Sequence, residues 1–222
     1  MTRLAERRRS STRPTLGHNA GKKAMDVSLS LALIIILAPL LLLLCILVRV
    51  TSAGPALFRQ QRLGQDMRPF TMLKLRTMCM DNDDSIHREY MTRMLSDGQH
   101  GVGQDGLFKL VGDPRVTPLG RWLRRSSLDE LPQLFNVLRG DMSLVGPRPV
   151  LPWEAQLFGA ECQYRFQVKP GLTGLWQVSG RSRLSMRQAL ELDVEYALRR
   201  SLALDLIIIL RTVPAVLRGG AR

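Results

Sequence analysis

Hydrophobic and polar positions fall into three regimes along the chain. From Leu31 to Val48 every position is apolar, and as a helix rising 1.5 Å per residue this run reaches roughly 27 Å, membrane length with little to spare. The residues before it are the opposite: Arg3, Arg7, Arg8, Arg9, Arg13, Lys22 and Lys23 stand against one acid, Glu6, with Pro14 and Gly17 as breakers. Residues 1–25 therefore read as a basic disordered arm, 26–50 as a membrane helix broken at Pro39, and 51–222 as the domain that follows. Strand character appears at Ala56–Phe58 and at Phe70–Arg76, around a turn over Gly64–Pro69. The pattern then weakens: Asp81, Asp83 and Asp84 cluster ahead of glycines at 98, 101, 103 and 106, which reads as a solvated connection rather than a metal site. From Asp113 onward, apolar residues at three- and four-residue spacing predict helices over 117–125, 130–139, 153–160 and 186–199. The tail, Leu202–Leu217, is apolar but interrupted by Asp205, Arg211 and Pro214. It fits a helix lying on a membrane surface, with a buried core helix as the competing reading.

Three readings of the long apolar run compete. Thr51-Ser52-Ala53 looks like a signal-peptide cleavage site, but the run exceeds the usual apolar core of about 7–15 residues and Arg49 interrupts the approach. A spanning helix leaves one basic flank on the wrong side, because Arg49, Arg59, Arg62, Arg68, Lys74 and Arg76 follow the run and the basic arm precedes it. A re-entrant helix that enters and leaves on one face satisfies both flanks, and Pro39 near the midpoint removes a backbone hydrogen bond where the helix would turn back. The residues alone leave the last two open.

Charge narrows the partners. Lys and Arg number 32 against 19 Asp and Glu, a formal charge of +13 on 222 residues, which calls for an anionic partner: nucleic acid, phosphate substrates or acidic headgroups. Aromatics are 5% of the chain, and zinc-finger spacing, RNA-binding signatures and a GxxxxGK loop are all missing, so nucleic acid is not expected. Cys45, Cys79 and Cys162 are far apart and odd in number, which suggests neither a disulfide framework nor a zinc site. After the membrane segment is set aside, the length supports one sizeable core.

Ser127-Leu128-Asp129-Glu130-Leu131-Pro132 is the most informative local piece. Pro132 belongs in the first turn of a helix, which places Asp129 and Glu130 where the helix dipole favours carboxylate anions. An ionised Asp is a competent nucleophile toward phosphorus. The alternative is an ordinary capping box, Ser127 with Glu130 three residues on. Arg121, Arg124 and Arg125 precede the acids, and Arg148 lies in Gly146-Pro147-Arg148-Pro149, where two prolines fix the backbone around one guanidinium. That pre-organisation suits bidentate phosphate recognition. Gly140-Asp141 supplies a further acid beside a turn, open as a metal or ribose contact or as routine turn chemistry. Lys169–Arg181 is a glycine-spaced loop around Trp176, able to hold a base or sugar or simply to turn the chain. His18, His87 and His100 stand alone in polar sequence and carry no ligand role.

These pieces together resemble the bacterial sugar transferases, the monotopic phosphoglycosyl transferases that act on undecaprenyl phosphate. The matching motifs are Lys74-Leu75-Arg76-Thr77-Met78, Asp113-Pro114-Arg115-Val116-Thr117-Pro118-Leu119-Gly120, Ser127–Gln133, Arg139–Pro149 and Lys169–Arg181, in the family's order. The resemblance covers about residues 22–217. It implies an α+β, mostly helical fold: a re-entrant membrane helix, a small cytoplasmic catalytic domain and interfacial amphipathic helices, on the cytoplasmic face of the bacterial inner membrane. It implies an Asp129–Glu130 catalytic dyad and a magnesium ion on Asp129, with Asp141 a second candidate ligand. It further implies transfer of a sugar 1-phosphate from a UDP-sugar to polyprenyl phosphate, with UMP released and exopolysaccharide or related glycan synthesis begun. Arg125, Arg148 and Arg181 are then the phosphate or nucleotide contacts, followed by Lys74 and Arg76. Two departures stand out. Ala38-Pro39 replaces the family's frequent Ser-Pro at the membrane break, and the N-terminal helical bundle of large relatives has no counterpart in this sequence. Membrane lipids are expected partners, and a homodimer is left open. The rival reading is a non-enzymatic, membrane-tethered basic scaffold for acidic lipids or nucleic acid, which accounts for the charge and anchor but not for a proline-flanked Arg near two acids.

Overall fold

The computed structural model describes residues 16–79, 88, 89, 92, 113, 115–180 and 184–217. The Asp81–Asp84 cluster, the glycines at 98–106 and Arg181 lie outside these residues. Helix α1 runs Leu16–Thr51 and carries the apolar segment. It begins ten residues before the expected boundary at 26, so the end of the basic arm is helical. Tertiary partners explain this better than composition does. Lys22 Nζ donates to Asp205 at 2.7 Å, and the Asp26 carboxylate accepts the Leu144 N–H at 3.1 Å. Pro39 lies within α1 as one of its residues and does not end it, so the break expected there is not a boundary between elements.

A hairpin follows, β1 (Leu57–Leu63) against β2 (Pro69–Leu75), antiparallel with Leu57 opposite Leu75 and Leu63 opposite Pro69. Its turn holds Asp66 and Met67 at positive φ, in the Gly64–Pro69 stretch where the sequence places a turn. The chain returns as α2 (Pro118–Ser126), whose Thr117 cap accepts the Gly120 N–H at 2.9 Å. Gly120 is required by proximity, since a Cβ there would stand 2.1 Å from the Thr77 carbonyl oxygen. After a 3₁₀ turn at Leu128–Glu130 comes α3 (Gln133–Arg139), then β3 (Ser143–Val145). The helix expected over 153–160 is shorter, α4 (Pro152–Gln156), because the backbone is extended at Gly159 before a 3₁₀ stretch over Ala160–Gln167. β4 (Gly171–Thr173) pairs parallel to β3, Ser143 with Gly171 and Val145 with Thr173. Helices α5 (Leu175–Ser179), α6 (Met186–Arg199) and α7 (Leu202–Leu217) complete the fold. It is a mostly helical α+β arrangement.

Three apolar clusters hold it together. Leu44 and Val48 of α1 pack with Leu75 and Leu123. Met72, Leu134, Leu144, Val145, Tyr196 and Ile208 form a second cluster, against which Leu29 and Leu33 of α1 rest. Trp176 lies in the third, with Phe158, Phe166 and Met186, so the aromatic of the Lys169–Arg181 loop is a core residue. One stripe of α1 is thus buried towards its two ends, at Asp26 and Ser30 and at Leu41, Leu44 and Val48, and half-buried between them at Leu33, Ile34 and Leu37. The opposite stripe is open, with Ile35 66%, Ile36 71%, Leu42 64% and Val50 78% exposed. Among the described residues, α1 is the one helix long and apolar enough to cross a membrane. Helix α7 combines the two readings of the tail: Asp205 and Ile208 are fully buried, while Leu206, Ile207, Leu210 and Val213 are exposed.

Candidate active site

The dyad sits at a junction of two helices. Ser127 ends α2 in the left-handed region at φ 59°, which turns the chain sharply into the Leu128–Glu130 turn. Its side chain makes no cap bond there, so the capping-box alternative for Ser127 and Glu130 does not form. A non-glycine residue held left-handed stores about 1 kcal/mol or more and marks a position that the surrounding structure fixes.

Glu130 lines a cleft together with Arg62, Met72, Lys74, Gln133, Arg148, Pro149, Gly171, Leu172 and Gln177. Lys74 Nζ, from β2, lies 3.0 Å from Glu130 Oε1, with both side chains about 15% exposed. Asp129 is 3% exposed. Its negative charge, with that of Asp113, acts on the Arg124 guanidinium, whose pKa burial lowers and whose charged form those two carboxylates favour. Arg148 and Arg115 contribute to the same field with opposite sign. Asp113 in turn accepts Arg115 Nε at 2.8 Å and Nη2 at 2.7 Å, and this pairing holds its carboxyl below the ordinary range. The cleft itself is lined by one carboxylate, Glu130, and three cations, Arg62, Lys74 and Arg148.

Of the site residues expected from sequence, Glu130, Lys74 and Arg148 meet at this cleft, with Asp129 directly adjoining in the chain. Arg76 does not come here. Its guanidinium is 5% exposed and donates to the Ala53 and Ser52 carbonyls and to Ser52 Oγ, closing the C-terminal end of α1. Arg125 is exposed on the outer side of α2, away from the buried Gly120 and Leu123. Asp141 is held by Asn136 Nδ2 at 3.3 Å beyond α3, and it is not among the cleft residues. Arg181 lies outside the described residues.

Sequence reasoning missed Arg62, Gln133 and Gln177 and passed over Arg124 for Arg125. For Arg124 a signal existed: with α2 starting at Pro118, the phase that buries Leu123 brings Arg124 inward and turns Arg125 out. For Arg62 none did, because its partners, the Pro149 carbonyl at 3.3 Å and Glu154 at 3.4 Å, are distant in sequence.

Among the described residues no group of three or more His, Cys, Asp or Glu could cage a metal. Magnesium, however, is commonly held by one or two carboxylates together with substrate phosphates, and the adjacent Asp129 and Glu130 fit that donor set.

An acidic pair flanked by cations thus sits on a small body that carries a long apolar helix. The chain matches the bacterial sugar transferase family over residues 17–219. It belongs to that family and is a phosphoglycosyl transferase. It is 40% identical over 195 residues to the exopolysaccharide production protein ExoY of Sinorhizobium fredii, covering 88% of this chain and 84% of that protein. It is 42% identical over 224 residues to the UDP-glucose:undecaprenyl-phosphate glucose-1-phosphate transferase of Caulobacter vibrioides, covering 97% and 77% of the two chains. It is also 40% identical over 197 residues to the undecaprenyl-phosphate galactose phosphotransferase of Salmonella typhimurium, covering 89% of this chain and 40% of that longer protein.

Proposed function

We propose that this enzyme transfers a sugar 1-phosphate from a UDP-sugar to undecaprenyl phosphate and so begins an exopolysaccharide or related glycan. The observation that carries the reading is the Asp129–Glu130 pair beside a cleft lined by Arg62, Lys74 and Arg148, in a family whose relatives are named for this transfer. Asp129 attacks the sugar-bearing phosphorus, the bond to the UMP oxygen breaks, and the phosphosugar is left on the carboxylate. An oxygen of the polyprenyl phosphate then attacks the same phosphorus, Asp129 departs as carboxylate, and a polyprenyl diphosphate sugar results. Splitting the transfer into two displacements suits substrates that arrive from different phases. Arg148, Arg62 and Lys74 offset charge on the transferred phosphoryl oxygens. Magnesium entering with the nucleotide would be held by Asp129, with Glu130 beside it, and would supply further neutralisation of the phosphate charge. Lys74 orients Glu130, which serves as a proton acceptor or orients the acceptor phosphate.

The same reading makes α1 re-entrant, with arm and domain both cytoplasmic. Lys22 and Asp26 near one end are fixed to Asp205 and Leu144, and Ser52 and Ala53 at the other are fixed to Arg76. About 45 Å of helix separates these points, yet all the partners belong to one body. That both ends of α1 are held by residues of one body supports placing them on the same side of the membrane.

The test is UMP release by the purified full chain given undecaprenyl phosphate and a panel of UDP-sugars, with and without chelator. Magnesium-dependent release from one of the sugars, lost in Asp129→Asn, is the expected result. No release from any UDP-sugar would return the protein to the scaffold reading.

A further inference from the structure

Away from the cleft lies a buried ion pair that the mechanism has not used. Arg165, from the 3₁₀ stretch after α4, places Nη2 2.6 Å from Asp193 Oδ2 on α6, with side chains 2% and 4% exposed. The Arg165 guanidinium sits between the rings of Phe158 and Phe166, 5.4 and 5.3 Å from their centroids. Such a pair is a poor device for stability alone, because stripping water from both charges offsets most of their attraction. Its remaining contacts show where it acts.

Both members hold the peptide of Arg148. Arg165 Nη2 donates to the Arg148 carbonyl at 2.7 Å, and the Asp193 carboxylate accepts the Arg148 backbone N–H. The flanking carbonyls are tied as well: Pro147 accepts the Gly171 N–H at 2.8 Å, and Pro149 accepts Arg62 Nη1 at 3.3 Å. Prolines on either side restrict φ. Every backbone group around Arg148 is thus committed, and its side chain lines the cleft with Lys74 and Glu130.

We propose that Arg165 and Asp193 are positioning residues of the transfer, their ion pair holding the Arg148 peptide so that its guanidinium meets the substrate diphosphate. This rests on the reading of the cleft given above. Neither side chain lines that cleft, so they act through Arg148.

The experiment measures UDP binding by titration calorimetry on the full chain in detergent, with UMP release alongside. Asp193→Asn keeps the shape and removes the charge, and is expected to weaken UDP binding about tenfold, as does Arg148→Ala. Combining the two should cost no more than Arg148→Ala alone, because the first acts through the second. A second variant guards against misfolding: Arg165→Met with Asp193→Leu leaves no lone buried charge, so it should stay folded by circular dichroism and still bind UDP about tenfold less tightly. Additive losses in the combined variant, wild-type binding by either pair variant, or unchanged binding by Arg148→Ala would each overturn the proposal. If the wild-type chain neither binds UDP nor releases UMP, the functional reading fails and the positioning role falls with it.

Discussion

Arg76 separates a phosphate contact from a helix cap, and Arg76→Met decides between them. Methionine keeps much of the apolar stem and removes the guanidinium. In the wild type that group donates to Ser52 O at 2.7 Å, to Ser52 Oγ at 2.9 Å and to the Ala53 carbonyl, oxygens at the C-terminal end of α1 where helix carbonyls lack intrahelical partners. Each hydrogen bond from a charged donor is worth about 1.5–3 kcal/mol. Ala53 is exposed and water can replace its partner, so one to two such bonds are lost outright, about 3 kcal/mol. For a chain of this size that lowers Tm by roughly 6–12 °C. Thermal unfolding followed by circular dichroism in detergent reads the shift, and UMP release below the transition reads the remaining activity, expected to stay within about tenfold of wild type. A Tm within about 2 °C of wild type together with a loss of activity beyond about a hundredfold would refute the cap and restore Arg76 to phosphate recognition.

Asp129→Asn should abolish UMP release while Tm and membrane association stay at wild-type values; turnover near the wild-type rate would remove Asp129 as nucleophile. Arg148→Lys should lose most activity because an ammonium cannot reproduce the planar fork, and full activity in that variant would make the guanidinium dispensable. Asp113 has its folded pKa held low by Arg115, so the stability it contributes is present above the ordinary carboxylate pKa and is lost as pH falls through the folded value. Wild type and Asp113→Asn should therefore differ in Tm at pH 6 and converge as pH drops below about 4, and a pH-independent gap would contradict the linkage. Cysteines placed at Ala20 and Gln65, in a chain lacking its native three, should both resist an impermeant thiol reagent in intact cells and react after lysis; labelling of position 20 alone from outside would show α1 to span.

How much of this was legible in the sequence depended on the range of the interactions. Helix α6 was expected over 186–199 and runs Met186–Arg199, because its apolar period and its Ser185–Gln188 capping box are local signals. The hairpin was equally local. The start of α1 was misplaced because Lys22 looks like an arm residue until Asp205 is folded against it. The site divides the same way. Arg148 stood out through its two prolines, and the dyad through its turn. Arg62 and Arg76 were indistinguishable from other cations after the apolar run, since what separates a cleft residue from a helix cap is a partner far away in sequence.

Strand β2 ties the Asp129–Glu130 turn to the long apolar helix. Two residues apart at the end of this strand, Lys74 pairs with Glu130 while Arg76 closes the end of α1. One residue further back, the Leu73 N–H donates to Asn136 Oδ1 at 3.0 Å, and Asn136 Nδ2 returns to the Thr71 carbonyl at 2.7 Å, pinning α3 against the same strand. α3 follows the dyad turn directly, so the Asp129–Glu130 segment is fixed to β2 from both sides. The membrane helix and the dyad are therefore mounted on one short, extended piece of backbone, across which a residue advances about 3.3 Å. On the function proposed above, a helix seated in the bilayer through its exposed Ile35, Ile36 and Leu42 would set the height of the dyad above the lipid to within a few residues of strand. Lengthening the loop between α1 and β1 after Ala53 should leave that height unchanged, because the Arg76 contacts to Ser52 and Ala53 bypass residues 54–56. Inserting one residue into β2 between Lys74 and Arg76 should move the two apart and lower use of the lipid acceptor more than binding of UDP.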